Sequence, residues 1–382
     1  MGLKTLTVIK TATDLVLDNR GIKLEPDRFP LQDPKTYSLL CAGHTTGVFQ
    51  LESSGITEIT MRLKPNCFDD LVAILALYRP GPLDAGMVDH YINRKHGREP
   101  VVYLHPRMST ILHDTYGIIV YQEQIMQLAQ ELAGYSLGEA DLLRRAMGKK
   151  VPEEMAQQRE RFTSGAIERG LEQKLATQIF DQMETFARYG FNRSHSAAYA
   201  MISFQTAYLR AHYPVEFMAA LMTHEMDDTD KVFKNLTECR KHKINVLPPD
   251  VNASQSRFSV QGEDIRYGLS AVKGVGEKAV AAIVETREKG GKFIDLEDFA
   301  ERIDLSAVNR RVLENFIKCG AYDTTGFSRH ELMSRLEDVL RYAVAMRRDV
   351  DTNQMDLFSG EVKAMTIPKR AGNRPEWTGT QK

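Results

Sequence analysis

The feature that most constrains the fold of this 382-residue chain is a succession of helix-period apolar patterns, separated by short breaks that carry glycine or proline. Between residues 122 and 132, for example, Ile125, Leu128, Ala129 and Leu132 follow the spacing of one helix face. The same pattern predicts helices over residues 141–147, 152–169, 173–188, 194–210 and 215–226. Strand-like alternation of apolar and polar residues is scarce here. The sequence therefore predicts an all-α body through about residue 243.

A double proline, Pro248-Pro249, ends this helical run. Beyond it, residues 257–260 and 265–267 flank a glycine-bearing turn, which predicts a short β-hairpin. Helical patterns then resume, so the fold class we predict is mainly α. Its expected parts are a helical domain in residues 1–243, a small domain in residues 244–325, and a terminal helix (about 329–347) with a linker in residues 326–382.

Composition excludes several classes of protein. Lys and Arg number 50 against 51 Asp and Glu, so the chain is not a uniformly basic nucleic-acid binder, although a balanced total can hide basic patches. The longest apolar run, residues 71–78, is far short of the roughly 20 residues that a membrane-spanning helix needs. Four widely spaced cysteines disfavour a zinc site or a disulfide framework. We expect a cytoplasmic protein that does not bind membranes.

Two glycines one residue apart, Gly274 and Gly276, join a short helical segment to a longer one, as in a helix-hairpin-helix element. Glycines allow backbone N–H groups to approach a phosphate, and the following helix N-terminus adds positive potential. Residues 266–292 hold six Lys or Arg and three Glu, and a second, degenerate unit follows in residues 305–318. An ordinary glycine-bearing turn is the alternative, but the pairing and the basic surroundings favour binding to the DNA backbone. The candidate DNA-binding residues are Lys273, Gly274, Val275, Gly276, Lys278, Arg310 and Arg311.

The densest basic cluster lies in residues 142–150 and contains Arg144, Arg145 and Lys149. These side chains could converge on phosphate oxygens, or they could simply complement a helix C-terminus, and the residues alone leave both interpretations open. A loop that opens a helix holds Asn192, Arg193 and His195, either facing a ligand or packed as an aromatic corner.

Two further segments have weaker local signals. Arg79 is the only charge in a rigid proline-rich turn, where a structural role is the first expectation. In the tail, Gln354, Met355, Asp356, Leu357 and Phe358 have the form of a short docking peptide rather than a chance apolar run.

The acidic residues do not predict a catalytic centre. Nucleotidyl transfer needs carboxylates that converge on two metal ions. The adjacent acidic pairs are Asp69-Asp70, Glu153-Glu154 and Asp227-Asp228. Neighbouring residues on a helix point apart, so none of these pairs predicts a metal clamp. We therefore predict no catalytic residue and no metal ligand in this chain.

Several long segments occur in the order found in one known family. They are residues 45–53 (TTGVFQLES), 78–83 (YRPGPL), 116–124 (YGIIVYQEQ), 143–150 (LRRAMGKK), 189–198 (YGFNRSHSAA), the helix-hairpin-helix stretch and the QMDLF tail. With these motifs the chain resembles the alpha subunit of bacterial DNA polymerase III, the C-family replicative polymerase. The resemblance implies a fingers domain, a tandem helix-hairpin-helix domain and a clamp-binding peptide.

The resemblance also implies roles and partners. Arg144, Arg145 and Lys149 would contact the triphosphate of an incoming nucleotide, with weaker support for Arg79, Asn192, Arg193 and His195. The implied partners are primer–template DNA, a deoxynucleoside triphosphate, the sliding clamp and other polymerase III subunits. In the family the catalytic aspartates, which use Mg²⁺, lie in the palm, just before the segment that Gly2 begins here. We therefore expect this chain to be part of a DNA-directed DNA polymerase and to be inactive by itself.

Two alternatives remain open. A stand-alone, non-enzymatic adaptor that binds DNA and the clamp would explain residues 247–358 but would leave the motifs of residues 45–217 without a purpose. A helix-hairpin-helix glycosylase would use a lysine and an aspartate near the hairpin. Lys273 and Asp295 give it faint support, but Asp295 is better explained as a helix cap.

Overall fold

The computed structural model describes residues 4–149, 152–187 and 189–352, and the structural statements below concern these residues. The α-helices are α1 (Lys4–Arg20), α2 (Pro34–Cys41), α3 (Ser54–Leu63), α4 (Phe68–Leu77), α5 (Pro80–Asp84), α6 (Met87–Lys95), α7 (Ser109–Leu112), α8 (Gln122–Ala133), α9 (Leu137–Lys149), α10 (Pro152–Glu168), α11 (Gln173–Ala187), α12 (Arg193–His212), α13 (Pro214–Glu225), α14 (Thr229–Lys241), α15 (Glu277–Gly290), α16 (Leu296–Arg302), α17 (Arg310–Cys319) and α18 (Arg329–Thr352). The strands are β1 (Val246–Leu247), β2 (Ser259–Gln261) and β3 (Asp264–Arg266). The predicted mainly α fold is confirmed.

The described chain forms two compact units. One consists of residues 25–212, and the other combines α1 with the residues from Tyr213 onward. The predicted domain limits at residues 243 and 325 both fall inside the second unit, and they stay predictions.

The unit of residues 25–212 has two apolar cores. In the first core, α12 packs against α2 and α4, and Leu71, Ile74 and Phe204 are buried there. In the second core, α8, α9, α10 and α11 pack on one another around Phe162 and Phe180. The amphipathic pattern read from residues 122–132 therefore corresponds to α8, whose apolar face is buried and which ends at Gly134 in the left-handed region.

In the other unit, α13 packs against α1, and the strands form a small sheet in the order β1-β3-β2. Strands β2 and β3 are antiparallel and form the predicted hairpin, with Gly262 at φ +65° in the turn. Strand β1 pairs with β3 in parallel and was not predicted. It has only two residues, which is too short to produce a recognisable alternation.

Helices α15 to α18 surround a third core, which includes Phe299, Phe316 and Tyr322. Helix α18 packs on α16 and α17 and contributes the buried Leu332 and Leu336. It corresponds to the terminal helix predicted for about residues 329–347. The hairpin between residues 272 and 276 precedes α15. Val272 belongs to this core and Val275 packs against it, so the hairpin is attached to the surface of the core.

Two local predictions need correction. The proline-rich segment that the sequence predicted as a turn contains the short helix α5, because proline is well suited to the first helical position. Helix α12 begins at Arg193 rather than at Ser194, because the side chain of Asn192 accepts a hydrogen bond from the N–H of His195 at 2.8 Å. Across the described ranges, no helix is both long enough and apolar enough to span a membrane.

Candidate functional site

The segment that leads into α8 brings several candidate residues of the first unit together. Phe191, in the loop before α12, pairs with this segment: its N–H donates to the carbonyl of Val120 at 3.1 Å, and its carbonyl accepts from the N–H of Gln122 at 2.9 Å. The side chain of Gln122 donates to the carbonyl of Gly190 at 3.3 Å and accepts from Nη1 of Arg144 at 3.4 Å. Two motifs that are distant in sequence, residues 143–150 and 189–198, are therefore neighbours in this unit.

Arg144 and Arg145 share one carboxylate. Asp141, one turn earlier on α9, accepts from Nε and Nη2 of Arg144 at 2.9 and 2.7 Å, and its other oxygen lies 2.8 Å from Nη2 of Arg145. The hydrogen bonds from Arg144 have the largest effect on the pKa of Asp141 and lower it; desolvation opposes them, and the charges of both arginines lower the pKa further. The side chain of Arg145 is 62% exposed and that of Arg144 is 32% exposed. A phosphate could therefore reach Arg145 more easily.

The start of α12 already carries a negative charge. Glu123 accepts from Nδ2 of Asn192 at 2.8 Å and from the backbone N–H of Arg193 at 3.0 and 3.1 Å. The guanidinium of Arg193 donates to Asp69 at 2.8 Å, and the ring of His195 contacts Phe191 and Tyr199. This arrangement orders the loop, but a carboxylate occupies the place at the helix N-terminus that would suit a phosphate.

Arg79 has a structural environment. Its Nε donates to the carbonyl of Ala76 at 2.8 Å, its Nη2 donates to the carbonyl of Tyr189, and its guanidinium lies 4.5 Å from the ring centroid of Phe191. Partial burial lowers the pKa of Arg79. The structure therefore connects Arg79 to the same loop that holds Asn192, as a support for its backbone.

Two adjacent acidic residues near this site, Asp69 and Asp70, are paired with cations. Asp69 binds Arg193, and the buried Asp70 forms an ion pair with Lys95, with 2.5 Å between Oδ2 and Nζ. A groove of about 830 Å³ lies beside Arg193, and its other charged residues are acidic: Asp69, Asp114, Glu123 and Glu131. In the part of the chain that the structure describes, no three His, Cys, Asp or Glu side chains are grouped to hold a metal ion.

In the other unit, the hairpin before α15 presents its backbone to solvent. Lys273, Gly274, Gly276 and Lys278 are exposed, and Val275 packs partly on the core. Gly274 has φ +79°, which favours glycine, and Gly276 caps α15 without a side-chain hydrogen bond. Within the described residues, no acceptor is bonded to the N–H groups of Gly274, Gly276 or Lys278.

The two adjacent arginines at the start of α17 differ in their partners. Arg310 donates from Nε to Glu314 at 2.8 Å and from Nη1 to Glu337 at 2.7 Å, and these contacts raise its pKa. Arg311 is exposed and makes no ion pair with any residue that the structure describes. The sequence predicts the same role for both arginines, whereas their surroundings in the structure are different.

Some of the predicted site residues lie outside the described residues, and some residues that form the site were not predicted from the sequence. The side chain of Lys149 and the whole segment Gln354, Met355, Asp356, Leu357 and Phe358 lie outside the described residues. Gln122, Glu123, Asp141 and Asn315 were not predicted as site residues. Asp141 could have been found, since it precedes the two arginines by one helical turn, but the contacts of Gln122 and Glu123 join segments about 70 residues apart.

Comparison with known proteins assigns the family. The family described as bacterial DNA polymerase III alpha subunit finger domain matches residues 5–170, and a helix-hairpin-helix motif matches residues 243–332. DNA polymerase III subunit alpha of Thermus aquaticus is 52% identical over 94% of this chain and 30% of the relative. The Pasteurella multocida protein is 49% identical over 99% and 34%, and that of Escherichia coli K12 is 49% identical over 94% and 32%.

The chain thus spans about a third of the length of the curated relatives it matches. Its matches extend over nearly all of its own residues, including the motifs that resemble this family. The chain belongs to the family of bacterial DNA polymerase III alpha subunits.

Proposed function

We propose that this chain is the part of a replicative DNA-directed DNA polymerase that binds the duplex backbone and contacts the incoming nucleotide. The observation that carries the proposal is the exposed Gly274–Gly276 hairpin at the start of α15, in which the N–H groups of Gly274 and Gly276 have no acceptor among the described residues. The phosphates of a DNA backbone could be bound here by amide donors, by the N-terminus of a helix and by the nearby cations Lys273 and Lys278. Such contacts give binding that depends on salt and little on sequence.

The proposed contact with the nucleotide involves the unit of residues 25–212. Arg144 and Arg145 lie side by side on α9, and Gln122 links Arg144 to the loop that holds Asn192 and Arg193. Arg145 is the cation that a triphosphate would reach most easily, because its side chain is largely exposed. We assign Arg79 a supporting role, since its guanidinium is bound to backbone carbonyls.

We propose that the chain performs no nucleotidyl transfer by itself. The nearby carboxylates Asp69, Asp70 and Asp141 each already pair with a cation, so they do not form a cradle for Mg²⁺. A primer-extension assay with Mg²⁺ and all four deoxynucleotides tests this claim. We expect no incorporation by the 382-residue chain, whereas robust extension would contradict the proposal.

The segment Gln354–Phe358 is proposed to dock on the sliding clamp, with Leu357 and Phe358 in an apolar pocket and Gln354 fixing the orientation. Replacing both Leu357 and Phe358 by alanine should abolish capture of the chain by immobilised clamp. Duplex binding should be unchanged in the same variant. Full clamp capture by this variant would remove the tail from the proposal.

A stand-alone clamp adaptor remains the second candidate. It is favoured by the observation that the hairpin proposed to bind DNA lies in one compact unit, whereas Arg144 and Arg145 lie in the other. Chemical footprinting of Arg144 and Arg145 with a deoxynucleoside triphosphate separates the two candidates. Protection of these arginines would support the polymerase role, and unchanged reactivity would favour the adaptor.

A further inference from the structure

Helix α17 contacts the hairpin before α15 through the side chain of Asn315. The side-chain amide of Asn315 donates from Nδ2 to the backbone carbonyl of Lys273 at 2.9 Å. A Cβ added at Gly274 would lie 2.8 Å from this Nδ2 atom, so the amide is in close contact with the hairpin. The bond joins residues 42 positions apart and therefore connects the two helix-hairpin-helix units.

Arg311 lies on the same face of α17, one turn before Asn315. Its Nε is 3.9 Å from the position that a Cβ of Gly274 would occupy. The neighbouring Arg310 is directed to Glu314 and Glu337 instead. Of the two adjacent arginines, Arg311 is therefore the one beside the hairpin.

The turn of the second helix-hairpin-helix unit, between α16 and α17, does not suit a phosphate. The carboxylate of Asp304 accepts from the backbone N–H of Ser306 at 2.9 Å and from its hydroxyl at 2.7 Å. These hydrogen bonds contribute most to the lowered pKa of Asp304. A fixed negative charge at this turn would repel a phosphodiester. We therefore do not expect the second helix-hairpin-helix unit to bind DNA through its turn.

We propose that Asn315 is a positioning residue that fixes the Gly274–Gly276 hairpin for phosphate binding, and that Arg311 supplies a cation to the same phosphodiester. This inference rests on the proposed duplex binding and extends it. The degenerate second unit acts through one face of α17, not through its own turn. By holding the carbonyl of Lys273, Asn315 orients the peptide that leads into Gly274 and reduces the conformational freedom that binding must remove.

Fluorescence anisotropy with a labelled blunt duplex, recorded on the full chain at several salt concentrations, tests the proposal. Asn315→Ala should weaken binding about fivefold, the factor expected for one neutral hydrogen bond, with an unchanged dependence on salt. Arg311→Ala should weaken binding about tenfold and make the slope of log K against log salt less steep by about 1. Arg310→Ala removes the same charge one residue earlier and should stay within about twofold of the unmodified chain.

Two controls separate positioning from loss of folding. Asn309→Ala removes the cap of α17, where Oδ1 accepts from the N–H of Val312 at 3.1 Å, and should lower the thermal midpoint without lowering affinity of the folded protein. Gly274→Ala should weaken binding less in the Asn315→Ala background than alone, because the close contact with Nδ2 is then absent.

The outcomes distinguish this inference from the proposed function. If the unmodified chain binds duplex and Asn315→Ala binds equally well, the positioning role is wrong and duplex binding stands. Equal losses for Arg310→Ala and Arg311→Ala would overturn the assignment of Arg311. A chain that does not bind duplex at all would overturn both the inference and the proposed function.

Discussion

Asp141 holds Arg144 through two hydrogen bonds, of 2.9 Å from Nε and 2.7 Å from Nη2. The same carboxylate binds Arg145, so a triphosphate that uses these arginines must compete with a protein anion. Since the pKa of Asp141 is lowered, chiefly by the bonds from Arg144, the carboxylate stays charged at neutral pH. Asp141 therefore sets the local charge of the proposed nucleotide site.

Asp141→Asn should tighten the binding of a fluorescent deoxynucleoside triphosphate about fivefold. The change removes a negative charge near the phosphates, and like charges a few ångström apart repel each other even in a water-like medium. Asp181→Asn, an exposed aspartate paired with Arg159 elsewhere in the unit, is the matched control and should change nothing. Weaker binding by Asp141→Asn would mean that the arginines need Asp141 to orient them.

The buried ion pair between Lys95 and Asp70 predicts a large effect on stability. Only 7% and 2% of the two side chains are exposed, and Asp70 also accepts from the N–H of Asn66 at 2.9 Å. Lys95→Met leaves the carboxylate buried without its cation, and urea denaturation should show a loss of about 3–5 kcal/mol in the free energy of unfolding. Arg62→Met, which breaks the exposed pair with Asp89, should cost less than about 1 kcal/mol. Equal effects of the two variants would contradict the burial of the Lys95–Asp70 pair.

The close packing of α10 on α8 depends on Gly165. A Cβ at this position would lie 2.2 Å from the carbonyl oxygen of Ala133, whereas Gly138 has open space around it. Alanine favours a helix over glycine at an unhindered position, so Gly138→Ala should leave stability unchanged or raise it by up to about 1 kcal/mol. Gly165→Ala should instead lower it by about 1–3 kcal/mol, as overpacking does. Thermal denaturation followed by circular dichroism measures both, and a stabilised Gly165→Ala would contradict the close approach.

The helices were predictable because their apolar periodicity is local. Ile125, Leu128 and Leu132 define one face of α8, and all three are buried in the core as that spacing predicts. The hairpin of β2 and β3 was also predictable from its turn residues. Strand β1 was not, because two residues carry no period.

The candidate residues were predictable as types, but their partners were not. The sequence marked Arg310 and Arg311 as equivalent cations, and only the packing of α17 distinguishes them: Arg310 faces Glu314 and Glu337, and Arg311 lies by Gly274. Likewise, nothing local to residues 122–123 indicates that their side chains reach the loop before α12. Contacts between distant segments depend on how the helices pack, which a periodic pattern does not specify.

The central claim is that the exposed Gly274–Gly276 hairpin binds the DNA backbone, and one measurement tests it directly. Anisotropy titrations of two duplexes of unrelated sequence should give equal affinities whose logarithm falls linearly with the logarithm of salt concentration. Gly274→Val, which forces a branched side chain onto a backbone at φ +79°, should reduce both affinities at least tenfold. Equal binding by the Gly274→Val variant, or binding insensitive to salt, would contradict the account.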